Sequence, residues 1–408
     1  MKKSLFIAAL VLISAGCAAQ KTNVRKAENL IGAETPDFTG ARAAITEALN
    51  NDETKGQTKT WYVAGLIGYT QNQTEYIKLQ LGQGGKDYTV RGKAVLESYN
   101  YWLKADQMAM TPVYDKKGKA KYDTRTRKQI AEKMVEYFEH RELINYAYDL
   151  CDKHDYATAY EAFHAYVSLP DLEMMQDKRL QERMPKDTIF EAFLFNEGWA
   201  AYNAEKYAEA IVVFRDLVEK NIKAVASAQF LYQCYINTND SAAANAVLDE
   251  CIRKFPSEAW FVQNRINNLV NANQMDEAVV YLDKAIASDP QIQYYLLKAS
   301  ILDMQQKFDE AIATYEAALK LDANNADIYY NYGVVYVEMA NKMNDDAAYL
   351  DAKAYKKARV EINNTLQKAL PYFEKAYNLN AENPTYKRQL RSLYYRLGME
   401  EKYNALAD

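Results

Sequence analysis

Through the middle of the chain, large and small apolar residues recur at spacings of three, four and three. Tyr207-Ala210-Phe214-Leu217, Met275-Ala278-Leu282-Ala285 and Phe308-Ala311-Tyr315-Ala318 all follow it, and Ala244-Leu248-Cys251 follows it without the leading large residue. Such spacing places every apolar position on one face of an α-helix, and the polar residues between them face water. The pattern repeats along the chain. Ala210 and Ala244 are 34 residues apart, Ala244 and Ala278 are 34 apart, Ala278 and Ala311 are 33 apart, and Pro256 and Pro290, each just past a helix, are again 34 apart. A fixed period carrying helical spacing predicts stacked helical hairpins.

The complementary helix of each period shows at Tyr329-Tyr332-Gly333-Tyr336 and Leu194-Gly198, and Ala159-Phe163 is a further second helix. With these, the register resembles the tetratricopeptide repeat family. In that family the first helix carries a large residue at position 4, a small one at 8 and an aromatic at 11. The second carries Ala at 20, an aromatic at 24 and Ala at 27. Small residues let helix axes approach and large ones fill the remaining space. The resemblance implies an all-α, right-handed α-solenoid of about eight hairpins closed by a C-terminal pair of capping helices.

The register also divides the chain. Residues 20–110 read as divergent repeats around Phe38-Ala41-Ile45-Ala48 and Trp61-Gly65, whose partner helix near Ala94–Ala105 arrives late, after the insertion Leu81-Gly82-Gln83-Gly84-Gly85-Lys86. A basic link spans 111–128, the regular solenoid 129–383 and the cap 384–408. Ala159 to Ala210 is 51 residues and Ala311 to Ala369 is 58, which places insertions near 171–189 and 341–365. The second insertion is rich in Ala, Lys and Asp and free of Gly and Pro, so it is expected to lengthen its two helices beyond the stack.

In the family the first helices line the concave groove, and this identifies candidate contact residues. Position 6 holds Asn145, Asn196, Asn264 and Asn331, interrupted by Phe230 and Leu297. An amide there can serve a partner's backbone with one acceptor and two donors, or can tie neighbouring helices together. Around it the register places Tyr148, Phe195, Trp199, Tyr202, Trp260 and Tyr330, with Asn203, Asn237 and Asn271 at position 13. Aromatics beside amides suit an extended peptide or partner protein, and would equally suit a sugar. Position 5 reads Ile144, Phe195, Gln229, Gln263, Leu296 and Tyr330, so the basic clamp used by carboxylate-binding members of the family is not expected.

Composition adds compartment and charge. The chain begins MKKSLFIAALVLISAGCAAQ, with Lys2 and Lys3 before an apolar run and then small residues, the layout of a secretory leader over residues 1–19. Cleavage after Ala19 would give a free exported protein of the periplasm or cell envelope. Ser14-Ala15-Gly16-Cys17 would instead make Cys17 the lipidated residue of an outer-membrane lipoprotein, although Ser14 stands where a Leu-like residue is expected. No transmembrane segment is expected once the leader is removed, because no other stretch approaches the roughly 20 apolar residues that span a bilayer. The net charge of −5 becomes −7 without Lys2 and Lys3, which disfavours nucleic acid as a partner.

Candidate chemistry is sparse. His140, His154 and His164 match no ligand spacing and read as solvated or capping residues. Gly82, Gly84 and Gly85 precede Lys86, but Asp87 stands where a phosphate loop needs Ser or Thr. Cys151, Cys234 and Cys251 form no C-x-x-C pair, and the register makes them small hydrophobes. Asp276-Glu277 and Asp309-Glu310 fall at the start of second helices, where carboxylates complement the helix dipole. Lys116, Lys117, Lys119, Lys121, Arg125, Arg127 and Lys128 make a basic cluster ahead of a helix expected near Gln129, which reads as a solvated link or a contact for an anionic partner. The expectation is a non-catalytic protein-interaction scaffold with no metal or cofactor. The alternative is a glycan-binding component of an envelope uptake or assembly system, anchored through Cys17.

Overall fold

The structure is a computed structural model that describes residues 22–83 and 88–406. The leader with Cys17, and residues 84–87 of the glycine-rich turn, lie outside the described residues. The chain forms two compact units, Met1–Ser241 and Ala242–Asp408. Described residues are overwhelmingly helical, as the apolar periodicity requires.

The first unit opens with α1 (22–31), α2 (Phe38–Leu49), α3 (Thr58–Gln80) and α4 (Tyr88–Ala109). A two-stranded hairpin follows, β1 (Val113–Tyr114) with β2 (Ala120–Lys121). Next come α5 (Thr124–His140), α6 (Glu142–Asp152), α7 (Tyr156–Ser168), two single-turn 3-10 segments and the short α8 (Lys178–Glu182). The unit ends with α9 (Thr188–Asn203), α10 (Tyr207–Glu219) and α11 (Ala224–Asn237). In the second unit, α12 (Ser241–Lys254) precedes the hairpins α13 (Ala259–Asn271) with α14 (Met275–Ser288) and α15 (Ile292–Met304) with α16 (Phe308–Leu319). Then α17 (Ala326–Ala347) pairs with α18 (Ala352–Leu379), before α19 (Pro384–Arg396) and α20 (Glu400–Ala405).

Three of the hairpins close on a glycine facing a ring. A Cβ added to Gly198 in α9 would come within 2.9 Å of the Phe214 ring in α10, and one on Gly333 in α17 would come as close to Phe373 in α18. Both pairs join position 8 to position 24. Phe373 is 40 residues from Gly333 in sequence, yet it takes the same place that Phe214 takes 16 residues after Gly198. The 24-residue surplus has therefore gone into length: α17 continues through Ala347 and α18 begins at Ala352. The same device packs α3 on α4, where Gly65 faces the Trp102 ring and Gly68 faces the Ala94 carbonyl. These two helices are a long direct pair, and α4 already starts at Tyr88, ahead of the late partner near Ala94 expected from sequence.

The tyrosines are mostly mortar. In the first unit the buried rings of Trp102 and Tyr137 stack 6.0 Å apart, and Phe138 stacks on Tyr166 at 4.8 Å. In the second, Tyr332 and Tyr372 stack at 4.0 Å with Tyr336 beside both, and the Tyr332 hydroxyl donates to Glu316 at 3.0 Å. Burying a ring while keeping its hydroxyl paired suits a structure whose layers must be thick and polar-edged at once.

Five of the hairpin turns share one conformation. His154, Glu205, Asn239, Asn273 and Gln306 all have φ near +60°, and all fall at position 15 of the register. Each ends a first helix with a reaching-back bond from the next residue, such as Lys206 N–H to the Ala201 carbonyl at 2.9 Å and Lys307 N–H to that of Leu302 at 2.8 Å. This is the left-handed closure that satisfies the last carbonyls of a helix, and here non-glycine residues bear its steric cost.

Two local expectations are corrected. The segment before residue 129 is no simple link: α5 begins at Thr124 because the Asp123 carboxylate accepts from the Thr126 N–H at 3.0 Å and caps the helix. The basic residues before it lie on the β-hairpin.

Gly198→Ala should destabilise the protein by roughly 1–3 kcal/mol by forcing a methyl into the Phe214 ring. Gln306→Gly should stabilise it by up to about 1 kcal/mol through relief of the left-handed turn. Urea-unfolding midpoints for the two variants should move in opposite directions.

Candidate partner-binding faces on the first helices

In the first unit the predicted residues come together on α6, α9 and α11, and much of their polar capacity is spent between helices. Asn196 Nδ2 in α9 donates to the Tyr148 hydroxyl in α6 at 2.8 Å. Asn237 Nδ2 in α11 donates to the Tyr202 hydroxyl in α9 at 3.4 Å. These asparagine–tyrosine links join each first helix to its neighbour, the tying role that the sequence left open beside backbone recognition. Asn203 Nδ2 returns to its own helix, at 2.7 Å from the Trp199 carbonyl. Asn145 is half-buried.

The rings differ in availability. Tyr148 is 43% exposed and rests edge-on against Phe163. Trp199 is half-buried and perpendicular to Tyr156 at 5.5 Å. Phe195 is enclosed by Phe214 and Phe230, both at 5.8 Å, with the Lys223 ammonium 4.6 Å above its ring. Tyr202 meets Phe230 at 5.2 Å. Phe230, the interruption in the asparagine series, is thus a filler that stacks on Phe214 at 5.1 Å.

In the second unit, Asn264 and Asn331 each spend one amide hydrogen on the carbonyl four residues back, Trp260 at 2.8 Å and Asp327 at 2.9 Å. That bond holds the side chain along the helix and leaves its oxygen and second hydrogen pointing away from the backbone. Asn331 borders a cleft of about 330 Å³ that Gln263 of α13 and Gln293, Leu296, Leu297 and Ser300 of α15 also line. Gln263, Leu296 and Leu297 are groove positions 5, 5 and 6. Leu297, where the asparagine series breaks, is half-buried and supplies apolar wall between amides. Tyr294 also lines it, and its buried hydroxyl has no hydrogen-bond partner among the described residues. Trp260 is half-buried against Phe261. Tyr330 is drawn away from an open groove, because it stacks on Tyr386 at 5.1 Å and packs on Phe373.

One polar pair was not visible in the sequence. His164 of α7, read as a solvated histidine, has its Nδ1 2.6 Å from the Glu197 carboxylate of α9, which is only 4% exposed. The imidazole also stacks on Tyr160. The residues are 33 apart, one period, and that spacing was the available signal. His154 meets the Tyr156 hydroxyl at 2.9 Å, and His140 stacks on Tyr76. Among the described residues no group of three or more His, Cys, Asp or Glu side chains could hold a metal ion. Burial pushes the Cys151 and Cys251 thiols up to about 11 and the Cys234 thiol up to about 12, so all three stay protonated and weakly reactive.

The hydrogen bond to Glu197 raises the His164 pKa above its ordinary value. A raised folded-state pKa contributes stability that is complete below the unfolded value and is lost as pH rises through the folded one. The melting-temperature gap between wild type and His164→Gln should therefore be wide near about pH 5.5 and narrow toward about pH 8.5. Thermal unfolding of both proteins across that range reads it.

Against known proteins, the TPR repeat model matches residues 304–339. Protein O-mannosyl-transferase TMTC3 of Mus musculus is 28% identical over 160 residues, covering 35% of this chain, and the human protein of that name is 26% identical over 160 residues. The chain spans 17% and 18% of the length of these two relatives. Similar solved structures include a TPR repeats protein (BF2334) from Bacteroides fragilis, with 18% identity and a TM-score of 0.33 over 63% of this chain and 98% of that one. They also include YrrB, described as a TPR protein with an unusual peptide-binding site, with 18% identity and a TM-score of 0.31 over 52% of this chain and 95% of that one. MamA (AMB-1) has 20% identity and a TM-score of 0.30 over 48% of this chain and 94% of that one. The matched segment coincides with α15's end, α16 and the first half of α17, and its left-handed turn at Gln306 recurs at His154, Glu205, Asn239 and Asn273. Residues 304–339 match a TPR repeat, and the described residues around them form an all-α array of helical hairpins.

Proposed function

We propose that the protein is an exported, non-catalytic scaffold of the bacterial periplasm or cell envelope, which holds an extended segment of a partner protein against its first helices. The cleft in the second unit carries this reading. Its walls are leucines and its rim is amides, a combination that takes an extended chain by burying alternate side chains and pairing its backbone. Leu296 and Leu297 supply the burial. Gln263 and Asn331 supply neutral hydrogen-bonding groups, so recognition would depend little on the charge of the partner. Export rests on the leader sequence, with Lys2 and Lys3 ahead of the apolar run.

The state of the rings favours a peptide over a sugar. A sugar needs an open ring face to stack on, whereas Phe195, Tyr202 and Tyr330 present their faces or edges to neighbouring rings. Tyr148 alone of the six predicted rings is strongly exposed.

A peptide-display selection against the full chain supplies ligands with which to test the cleft. Leu297→Arg should weaken their binding by at least about tenfold, because a charge in the apolar wall removes burial and must itself be desolvated. Asn331→Ala should weaken it by about two- to tenfold through loss of one amide contact. Unchanged affinity in Leu297→Arg, with circular dichroism also unchanged, would refute the cleft as the binding surface.

A further inference from the structure

We infer that the β-hairpin of the first unit is a docking finger for an anionic phospholipid surface. Residues 115–128 carry seven cations against two carboxylates, in a chain whose net charge is −5. The structure uses both carboxylates internally. Asp115 closes the hairpin: its Oδ1 accepts from the Lys117 N–H at 2.9 Å and the Lys119 N–H at 3.0 Å, and its Oδ2 lies 3.5 Å from the Lys121 ammonium. Those amide bonds hold its carboxyl below the usual value. Asp123 is spent on capping α5. Arg127 is turned inward to Asp106 and Glu173, at 3.1 and 3.3 Å.

Lys116, Lys117, Lys119, Arg125 and Lys128 remain, all exposed, and no described carboxylate lies within ion-pair distance of any of them. Long flexible cations in such number are not needed to hold a two-residue ladder together. They make a local positive field on an acidic protein, which attracts an anionic surface and is screened by salt.

Apolar groups stand among these charges. Val113 is 70% exposed, Tyr114 67% and Tyr122 48%. In the antiparallel register Tyr114 faces Ala120 and Val113 faces Lys121. Side chains alternate across a strand, so Tyr114 and Tyr122 project on one side and Val113 on the other. Tyrosines with free hydroxyls beside lysines belong at the depth of lipid headgroups, where the ring is buried and the hydroxyl and ammonium groups stay wet. A soluble polyanion would use the charges but would give the exposed valine and tyrosines no burial. The hairpin is rigid enough to present them, because Gly118 takes the left-handed turn at φ +73° and the Asp123 N–H bonds back to the Ala109 carbonyl at the end of α4.

The test is co-sedimentation of the full chain with vesicles of phosphatidylcholine containing phosphatidylglycerol, against vesicles of phosphatidylcholine alone. A Cys17→Ala background removes any lipid attached to the chain. Wild type should pellet with the anionic vesicles only, and Lys116→Glu with Lys117→Glu and Lys119→Glu should reduce this by at least about tenfold. Tyr114→Ser with Tyr122→Ser should leave binding at low salt and abolish what survives at raised salt. All five side chains are exposed, so circular dichroism and melting temperature should match wild type. Equal pelleting of wild type and the triple lysine variant would overturn the inference. So would capture by heparin beads combined with no pelleting on anionic vesicles, which would assign the hairpin to a polymer.

Discussion

The structure depends on one contact made repeatedly: a residue without a side chain on a first helix, met by an aromatic ring on the second. At Gly198–Phe214 and Gly333–Phe373 the added atoms of even an alanine would have no room. That closeness sets the separation of the two helices, and the ring sets their rotation about their own axes. With the inner face fixed in this way, the outer face of each first helix is fixed as well. Asn196 can reach Tyr148, and Asn331 can border the cleft with Leu297, only because positions 6 and 9 lie on the opposite side of a helix whose position 8 is locked.

The same logic explains how 24 residues can enter a repeat without disturbing it. A helical hairpin can be lengthened in both of its helices, and its packed base does not register the change. The α17–α18 pair shows this, with the ring of Phe373 occupying the place of the absent nearer one. Around residue 115 the chain uses its surplus differently. A turn-forming Asp-Lys-Lys-Gly cannot continue a helix, and the insertion becomes a hairpin held by its own Asp115.

Most of the fold was legible because the contacts that build it are local in register and almost binary in size. A small residue at 8 or 20 and a ring at 24 can be read without knowing any distance. The faces were less legible. Identical asparagines at position 6 do different things: Asn196 serves the first helix of the preceding repeat, whereas Asn264 and Asn331 fold back on their own backbones. The choice depends on whether the preceding repeat offers a tyrosine hydroxyl, as Tyr148 does. Tyr330 matches the groove pattern but is claimed by Tyr386 of the cap, and His164 is exposed, as the sequence indicates, yet also pairs with the buried Glu197. In each case the deciding partner lies one repeat away, so periodicity locates the residue and only the neighbouring layer assigns its work.

The two surfaces proposed for partners are of opposite physical kinds. The cleft in the second unit is walled by leucines and offers amides, which do not titrate near neutral pH, so ionic strength has little to act on there. The hairpin in the first unit and the start of α5 offer five unpaired cations, and their attraction decays over a Debye length of about 8 Å at physiological salt. A chain with an overall negative charge gains selectivity from this separation. Its acidic average disfavours anionic surfaces, and the seven cations of residues 115–128 locally reverse that sign. The neutral cleft is exempt from that field and can select a partner by shape and backbone pairing. Concentrating charge on an insertion, outside the repeating unit, is what lets the repeats remain uniform while the molecule gains a directional contact.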